Sequence, residues 1–173
     1  LMILDKEFCK PFDENRQGLN LGYGAGYLLL VSEMMMKQLN KDPYCIISGY
    51  SNANDAYHQT ASSPEGTGSF LAMQNALARS GRKPVDIDYI NLHGTGTPNN
   101  DSAEGTAVKR VFDPDYPPMS STKSFTGHTL GASGGIEAVF SVLAIKHHIV
   151  YPNLRFKTRM SEVPFEPETI FLK

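Results

Sequence analysis

The chain has 173 residues, 40% of them hydrophobic and 20% charged, with a formal net charge of −2; this is enough for one domain with its own core. The charge excludes a generic nucleic-acid or membrane-surface binder, which presents a basic face, and no run of about 18 apolar residues offers a bilayer span. Cys9 and Cys45 have no Cys-x-x-Cys spacing, so no disulfide framework is expected and the chain reads as cytoplasmic. "LMILDKEF" at the start and "ETIFLK" at the end both read as mid-element, as in a piece of a longer protein.

In chain order, a Pro/Asp/Gly loop, "KPFDENRQG", precedes "LNLGYGAGYLLLVSE" (19–33), an apolar, glycine-studded run that predicts a buried strand with close backbone contacts. "SEMMMKQLN" predicts a short helix and "YCIISGYSNAN" a second strand. Ser63-Pro64-Glu65 carries a helix-start signature, a capping residue and then proline, for a helix ending at Gly81. "VDIDYINLHG" predicts a third strand, and "NDSAEGTAVKRVF" a helix with Asp101 and Glu104 at capping-box spacing. "PMSSTKSFTGH" reads as strand and loop, "GASGGIEAVFSVLAIKHH" as a long apolar helix, and "IVYPNL" and "TIFLK" as short final strands. Strands alternating with helices predict a layered α/β fold with much parallel sheet.

"GYGAGY" is not a dinucleotide fingerprint. Its glycines fall at 22, 24 and 26 inside an apolar run, and no phosphate-cradling helix follows at once. "HGTGTPNND" is more informative. His93 ends a strand, where ligands of open α/β sheets bind, and the hydroxyls of Thr95 and Thr97 share one side of an extended segment, suited to a narrow substrate arm. Asp101 and Glu104 are explained by capping and dipole complementarity alone. In "SSTKSFTGHTLGASGG", Lys123 precedes His128 by five residues and could fix which ring nitrogen carries the proton. Glu137 has apolar sequence neighbours and needs a cation, for which Lys123 is the nearest. A metal site from His93, His128 and Asp101 is disfavoured by the absence of short paired spacing and by the nearby lysine. Neither cysteine has the surroundings of a nucleophile.

These segments resemble the β-ketoacyl-[acyl carrier protein] synthases, the condensing enzymes. "HGTGTPNND" resembles the family's His-Gly-Thr-x-Thr segment, and "STKSFTGHTLGASGGIEA" its Lys-x-x-x-x-His segment. "CKPFDENRQGLNLGYGAG" is similar to the Arg-Pro-Phe-Asp and Gly-Glu-Gly-Ala-Gly stretches, with Lys10 for the usual Arg and Tyr23 for the usual Glu. "NDAYHQTA" also fits and sets Thr60 near the pocket. The likeness runs from about residue 8 to 155, and "NANDAYHQTASSPEGTG" suggests an aryl-polyene or polyketide kind.

The resemblance implies an α/β thiolase-like fold in incomplete copy. Residues 1–40 would be the tail of the N-terminal half, and 41–173 the C-terminal half, truncated before the final glycine-rich loop. It implies decarboxylative Claisen condensation of an acyl thioester with malonyl-[acyl carrier protein]. His93 and His128 would hydrogen-bond the malonyl thioester carbonyl, Lys123 would orient His128, Glu137 would balance Lys123, and Thr95, Thr97 and Thr60 would bind the phosphopantetheine arm. No other cofactor and no metal is implied; the partners would be acyl carrier protein and a second ketosynthase-like subunit, as homodimer or heterodimer. The nucleophilic cysteine's segment is absent, since neither Cys9 nor Cys45 lies in its motif, so the chain alone is not expected to condense anything. Two rival readings are a non-catalytic, chain-length-factor-like partner, which retention of His93, Lys123 and His128 disfavours, and a thiolase-type acyl-CoA enzyme.

Overall fold

The computed structural model describes residues 3–58 and 61–173. Helix α1 spans Glu33–Leu39 and starts at Ser32, whose Oγ accepts from the Met35 amide at 3.2 Å; such a cap contributes about 1 kcal/mol. Helix α2 spans Thr67–Ser80 and ends at Gly81 in the left-handed region. Strand β1 (Ile90–Asn91) pairs in parallel with strand β2 (Met119–Ser120), Ile90 opposite Met119. Helix α3 (Pro98–Phe112) makes the crossover between them. After β2 come α4 (Lys123–Thr126), a 3₁₀ turn at Leu130–Ala132, and α5 (Ser133–His147). Both strands therefore run their carboxyl ends toward the same place, where His93 and Lys123 follow.

The core gathers on the inner face of α3. Val108 and Phe112 meet Phe12, Leu92, Met119, Met160, Val163 and Phe165, with the Phe12 and Phe165 rings 6.0 Å apart. Burying each such side chain contributes roughly 1.5–3 kcal/mol. The loop around Pro11 is part of this core rather than a surface connection. Asn153 Nδ2 donates to Pro11 O at 2.9 Å, and Asp13 accepts from the amides of Lys157 and Thr158 at 2.7 and 2.9 Å. Phe12 sits at φ 61°, a conformation costly for a residue with a Cβ and held here by its packed ring.

Several sequence expectations change. Among the described residues the parallel sheet is only the two-residue pair β1 and β2, and the stretch 118–128 holds the short helix α4. The expected final strands 149–154 and 169–173 meet in the single antiparallel bridge of Val150 and Leu172. In the run 19–33 Leu19 is buried and Glu33 opens α1, but the residues between are extended with no ladder beyond single bridges, and the run is largely uncovered: Tyr27 is 88% and Leu29 87% exposed. The run 44–54 behaves alike, with Ile46 81% exposed. A strand exists through its neighbours' hydrogen bonds, and among the described residues no segment forms a ladder with either run; Leu19 and Leu21 make single bridges to Leu4 and His128. The glycines of 22–26 do serve close approach. A Cβ on Gly22 would lie 2.0 Å from Thr126 O, and one on Gly26 would lie 2.5 Å from the carbonyl carbon of Gly135.

Helix α2 opens at Thr67 instead of at Pro64. Ser63, Pro64, Glu65 and Gly66 form a turn closed by Gly66 N–H to Ser63 O at 2.9 Å, while Ser63 Oγ accepts from Thr67 N at 3.1 Å. Asp101 and Glu104 make no capping box. The N-cap of α3 is Thr97, followed by Pro98, and both carboxylates reach back into the preceding loop instead.

Candidate active site

β1 buries Leu92 and delivers His93 to the rim. The Leu92 amide continues the ladder to Ser120 O at 2.8 Å, and the His93 side chain remains 41% exposed. The chain then turns through Gly94 at φ 40°, where a Cβ would lie 2.5 Å from the Ser121 Cβ; only glycine fits there. Two acidic side chains of α3 hold this turn. Glu104 accepts from the amides of His93 and Gly94 at 2.7 and 2.8 Å, and fully buried Asp101 accepts from Phe12 N at 2.9 Å and Gly96 N at 3.2 Å. Desolvation pushes both carboxyls up, against the hydrogen bonds that favour their ionised forms. These residues are parts of the site's frame that spacing alone presented as helix-start residues. The legible signal was an acidic pair one helical turn after a glycine-rich loop.

Lys123 opens α4 and is only 2% exposed. Its Nζ lies 2.7 Å from His93 O and 2.9 Å from His93 Nδ1, and it forms an ion pair with Glu137 of α5. An ammonium has three donors and no acceptor, so these three contacts satisfy it. They also make His93 Nδ1 an acceptor and leave the ring proton on Nε2. Burial alone would raise Glu137, but the carboxyl is held below its usual range, and with His93 Nδ1 acting as an acceptor it is the Lys123 ammonium that favours the charged form through hydrogen bond and charge.

His128 is held differently. Its amide donates to Asn20 O at 2.7 Å and its carbonyl accepts from Gly22 N at 3.1 Å. Its Nδ1 accepts from Leu130 N–H at 3.1 Å and lies 2.9 Å from Ser133 Oγ. The expectation that Lys123 orients His128 is therefore corrected: Lys123 contacts His93, because Ser121 Oγ bonds Gly94 O at 2.8 Å and ties the start of α4 to the end of β1. His128 is pushed below the usual histidine value by burial first, then by Lys123 and His93, with Glu137 opposing. The His93 and His128 rings meet edge to face, centroids 5.1 Å apart.

Thr95 and Thr97 pair through their hydroxyls at 2.9 Å; Thr95 is 4% exposed, whereas Thr97 is half-buried. Thr60 lies outside the described residues. Asp101 is a poor metal ligand, since the amides of Phe12 and Gly96 occupy its oxygens. Cys9 is buried with Sγ 3.6 Å from Lys123 O, and burial pushes its thiol up, away from thiolate reactivity.

The chain that brings together these two imidazoles, one just after β1 and one just after α4, with a buried lysine against the first, has relatives. Residues 44–157 match the family model described as the C-terminal domain of β-ketoacyl synthase. The chain belongs to the β-ketoacyl synthase family. It is 45% identical over 152 residues to the 3-oxoacyl-[acyl-carrier-protein] synthase 2 of Staphylococcus aureus (strain COL), covering 87% of this chain and 37% of that protein. This β-ketoacyl synthase chain thus spans little more than a third of the length of the curated relatives it matches. Among solved structures, the ishigamide ketosynthase/chain length factor superposes with a TM-score of 0.94 at 30% identity, over 99% of this chain and 42% of that one. A type II polyketide synthase acyl-carrier protein complex with its ketosynthase matches with a TM-score of 0.87 at 32% identity, over 92% and 40% of the two chains. The α/β fold is accordingly thiolase-like, an incomplete copy that includes the C-terminal domain.

Among the described residues, no helix is long and apolar enough to cross a membrane.

Proposed function

We propose that the chain is the C-terminal catalytic half of a 3-oxoacyl-[acyl carrier protein] synthase of fatty acid or polyketide and polyene synthesis, acting in the cytoplasm. One observation carries the reading: His93 and His128 both have their Nδ1 occupied by donors, their rings 5.1 Å apart. Each Nε2–H is thereby free to donate to one substrate oxygen. In the reaction, the bond between the malonyl α-carbon and its carboxylate breaks, CO₂ leaves, and the electron pair develops as an enolate on the thioester oxygen. Two aimed N–H donors in a partly desolvated site stabilise that charge. The enolate carbon then attacks an acyl thioester held on a cysteine outside this chain, and the cysteine thiolate leaves.

Lys123 fixes His93 in its Nε2–H form, and Glu137 compensates the buried ammonium. Thr97, with Thr95 behind it, donates to the phosphopantetheine arm carried by acyl carrier protein, joined by Thr60. Residues 1–40 belong to the end of the N-terminal half and 41–173 to the C-terminal half. The working enzyme is a dimer of ketosynthase-like subunits, homomeric or with a chain-length-factor-like partner.

The test is decarboxylation of malonyl-[acyl carrier protein] by the full-length protein that carries this sequence. His93→Ala and His128→Ala are each expected to lower CO₂ release by a factor of 10² or more, on the order of an oxyanion donor's worth, with the fold intact by circular dichroism. Unchanged release would remove the histidines from the mechanism and favour the scaffold reading.

A further inference from the structure

We infer that Ser133, with Thr129 behind it, is a positioning residue for His128: a hydroxyl relay that holds the imidazole in its Nε2–H form. The inference rests on the proposed function for its catalytic meaning, but not for its geometry. His128 Nδ1 lies 3.1 Å from Leu130 N and 2.9 Å from Ser133 Oγ. An amide N–H can only donate, so Nδ1 carries the lone pair and Ser133 must donate to it. Ser133 Oγ then has lone pairs to offer, and Thr129 Oγ1, 3.3 Å away, can donate into them. The direction of the chain is thereby set: Thr129 O–H to Ser133 Oγ, Ser133 O–H to His128 Nδ1.

Two features favour this role over a routine buried serine. Ser133 is the first residue of α5, but the N-cap is Ala132 and makes no side-chain cap, so the hydroxyl does not serve the helix end. It is also withdrawn from water, 4% exposed, with Thr129 at 9%. Leu130, the other donor, sits at φ 54°, a strained conformation for a branched side chain; it gives His128 a donor from the backbone alone. Ser133 thus does for His128 what Lys123 does for His93, with a neutral donor in place of a charged one. The charged and titratable groups facing the ring are His93, from the loop after β1; Lys123, from α4; and Glu137, from α5. The relay acts beside them on the other edge.

The test is long-range ¹H–¹⁵N NMR of the ¹⁵N-labelled chain across a pH titration, reading the His128 tautomer and midpoint. The wild type is expected to have an unprotonated Nδ1 and a protonated Nε2 when neutral. Ser133→Ala is expected to raise the midpoint and mix in the Nδ1–H tautomer, and Ser133→Thr, which keeps the hydroxyl, to restore both. A wild-type midpoint and tautomer in Ser133→Ala overturns the inference. Should that variant fail to fold, Thr129→Val reads the same relay one bond further out: a smaller shift in the same direction supports it, and no shift overturns it. In the full-length protein, Ser133→Ala should lower kcat for malonyl decarboxylation roughly five- to tenfold, the worth of one lost hydrogen bond, with KM held. Absence of decarboxylation in the wild type would defeat the proposed function, while the NMR result would still decide the relay.

Discussion

The histidine pocket and the segment from Leu21 to Tyr57 are built from similar raw material and reach opposite ends. Around the pocket, Phe12, Leu92, Met119 and Met160 are sealed, and four acidic side chains, Asp13, Asp101, Glu104 and Glu137, are bound to named amides or to a lysine. In the other region, Tyr23, Tyr27, Leu29 and Ile46 stand in water along an extended backbone that, among its described residues, has single bridges and no ladder. The difference lies in where each region's partners are. The pocket's apolar and polar groups find theirs within the described residues, whereas the strand-like runs need neighbouring strands that these residues do not supply. Apolar content predicts that a segment will be covered; it does not say by what.

The sharpest way to break this contrast is Lys123→Met. Removal of the cation leaves Glu137 uncompensated and His93 Nδ1 without its donor, and the chain is expected to lose about 3–5 kcal/mol, read as a drop in the urea midpoint. A midpoint within error of wild type would mean that the pocket's ion pair does not hold the region together.

Acid tests the same region more gently. Burial would raise Asp13, but the amides of Thr158, Lys157 and Asn15 outweigh it and hold the carboxyl below the usual range. A carboxyl lower in the folded than in the unfolded state contributes stability above its unfolded value, and that stability is lost as pH falls through the folded one. The stability Asp13 contributes should therefore be lost as pH falls below the usual carboxylate range, against the opposite trend of the raised Asp101 and Glu104, and Asp13→Asn should make the acid fall in urea midpoint shallower. An equally steep profile in the variant would assign the loss to other groups.

The smallest effect belongs to the exposed region. Leu29→Ser should change stability by no more than about 0.5 kcal/mol while lowering the binding of a hydrophobic dye. A loss comparable to that of Lys123→Met would show that the run 19–33 is packed after all.

Much of the site was legible in sequence because its residues come in two short motifs whose chemistry is local. Spacing singles out His93 with Thr95 and Thr97, and Lys123 with His128, and the structure sets the two rings 5.1 Å apart. Their wiring was not legible. Which histidine Lys123 serves depends on the parallel register of β1 and β2 and on the Ser121–Gly94 bond, both contacts between segments about thirty residues apart. Asp101 and Glu104 misled for a related reason. Their spacing suits a cap, but the loop before α3 folds back far enough to offer them better donors in Phe12, His93, Gly94 and Gly96.

The sequence by itself determined the four longer helices, with shifts of a few residues at their starts, though not the short α4, which lies in a stretch that reads as strand and loop. It also determined the glycines that permit close approach and the inventory of reactive groups. These follow from period, capping and backbone sterics, which act over a few residues. Only the tertiary structure decided which lysine proton meets which ring nitrogen, that Ser133 stands behind His128, and that the most apolar strand-like runs remain uncovered. Hydrogen-bond partnership and burial are properties of pairs of segments, and a pair is made only when the chain has folded.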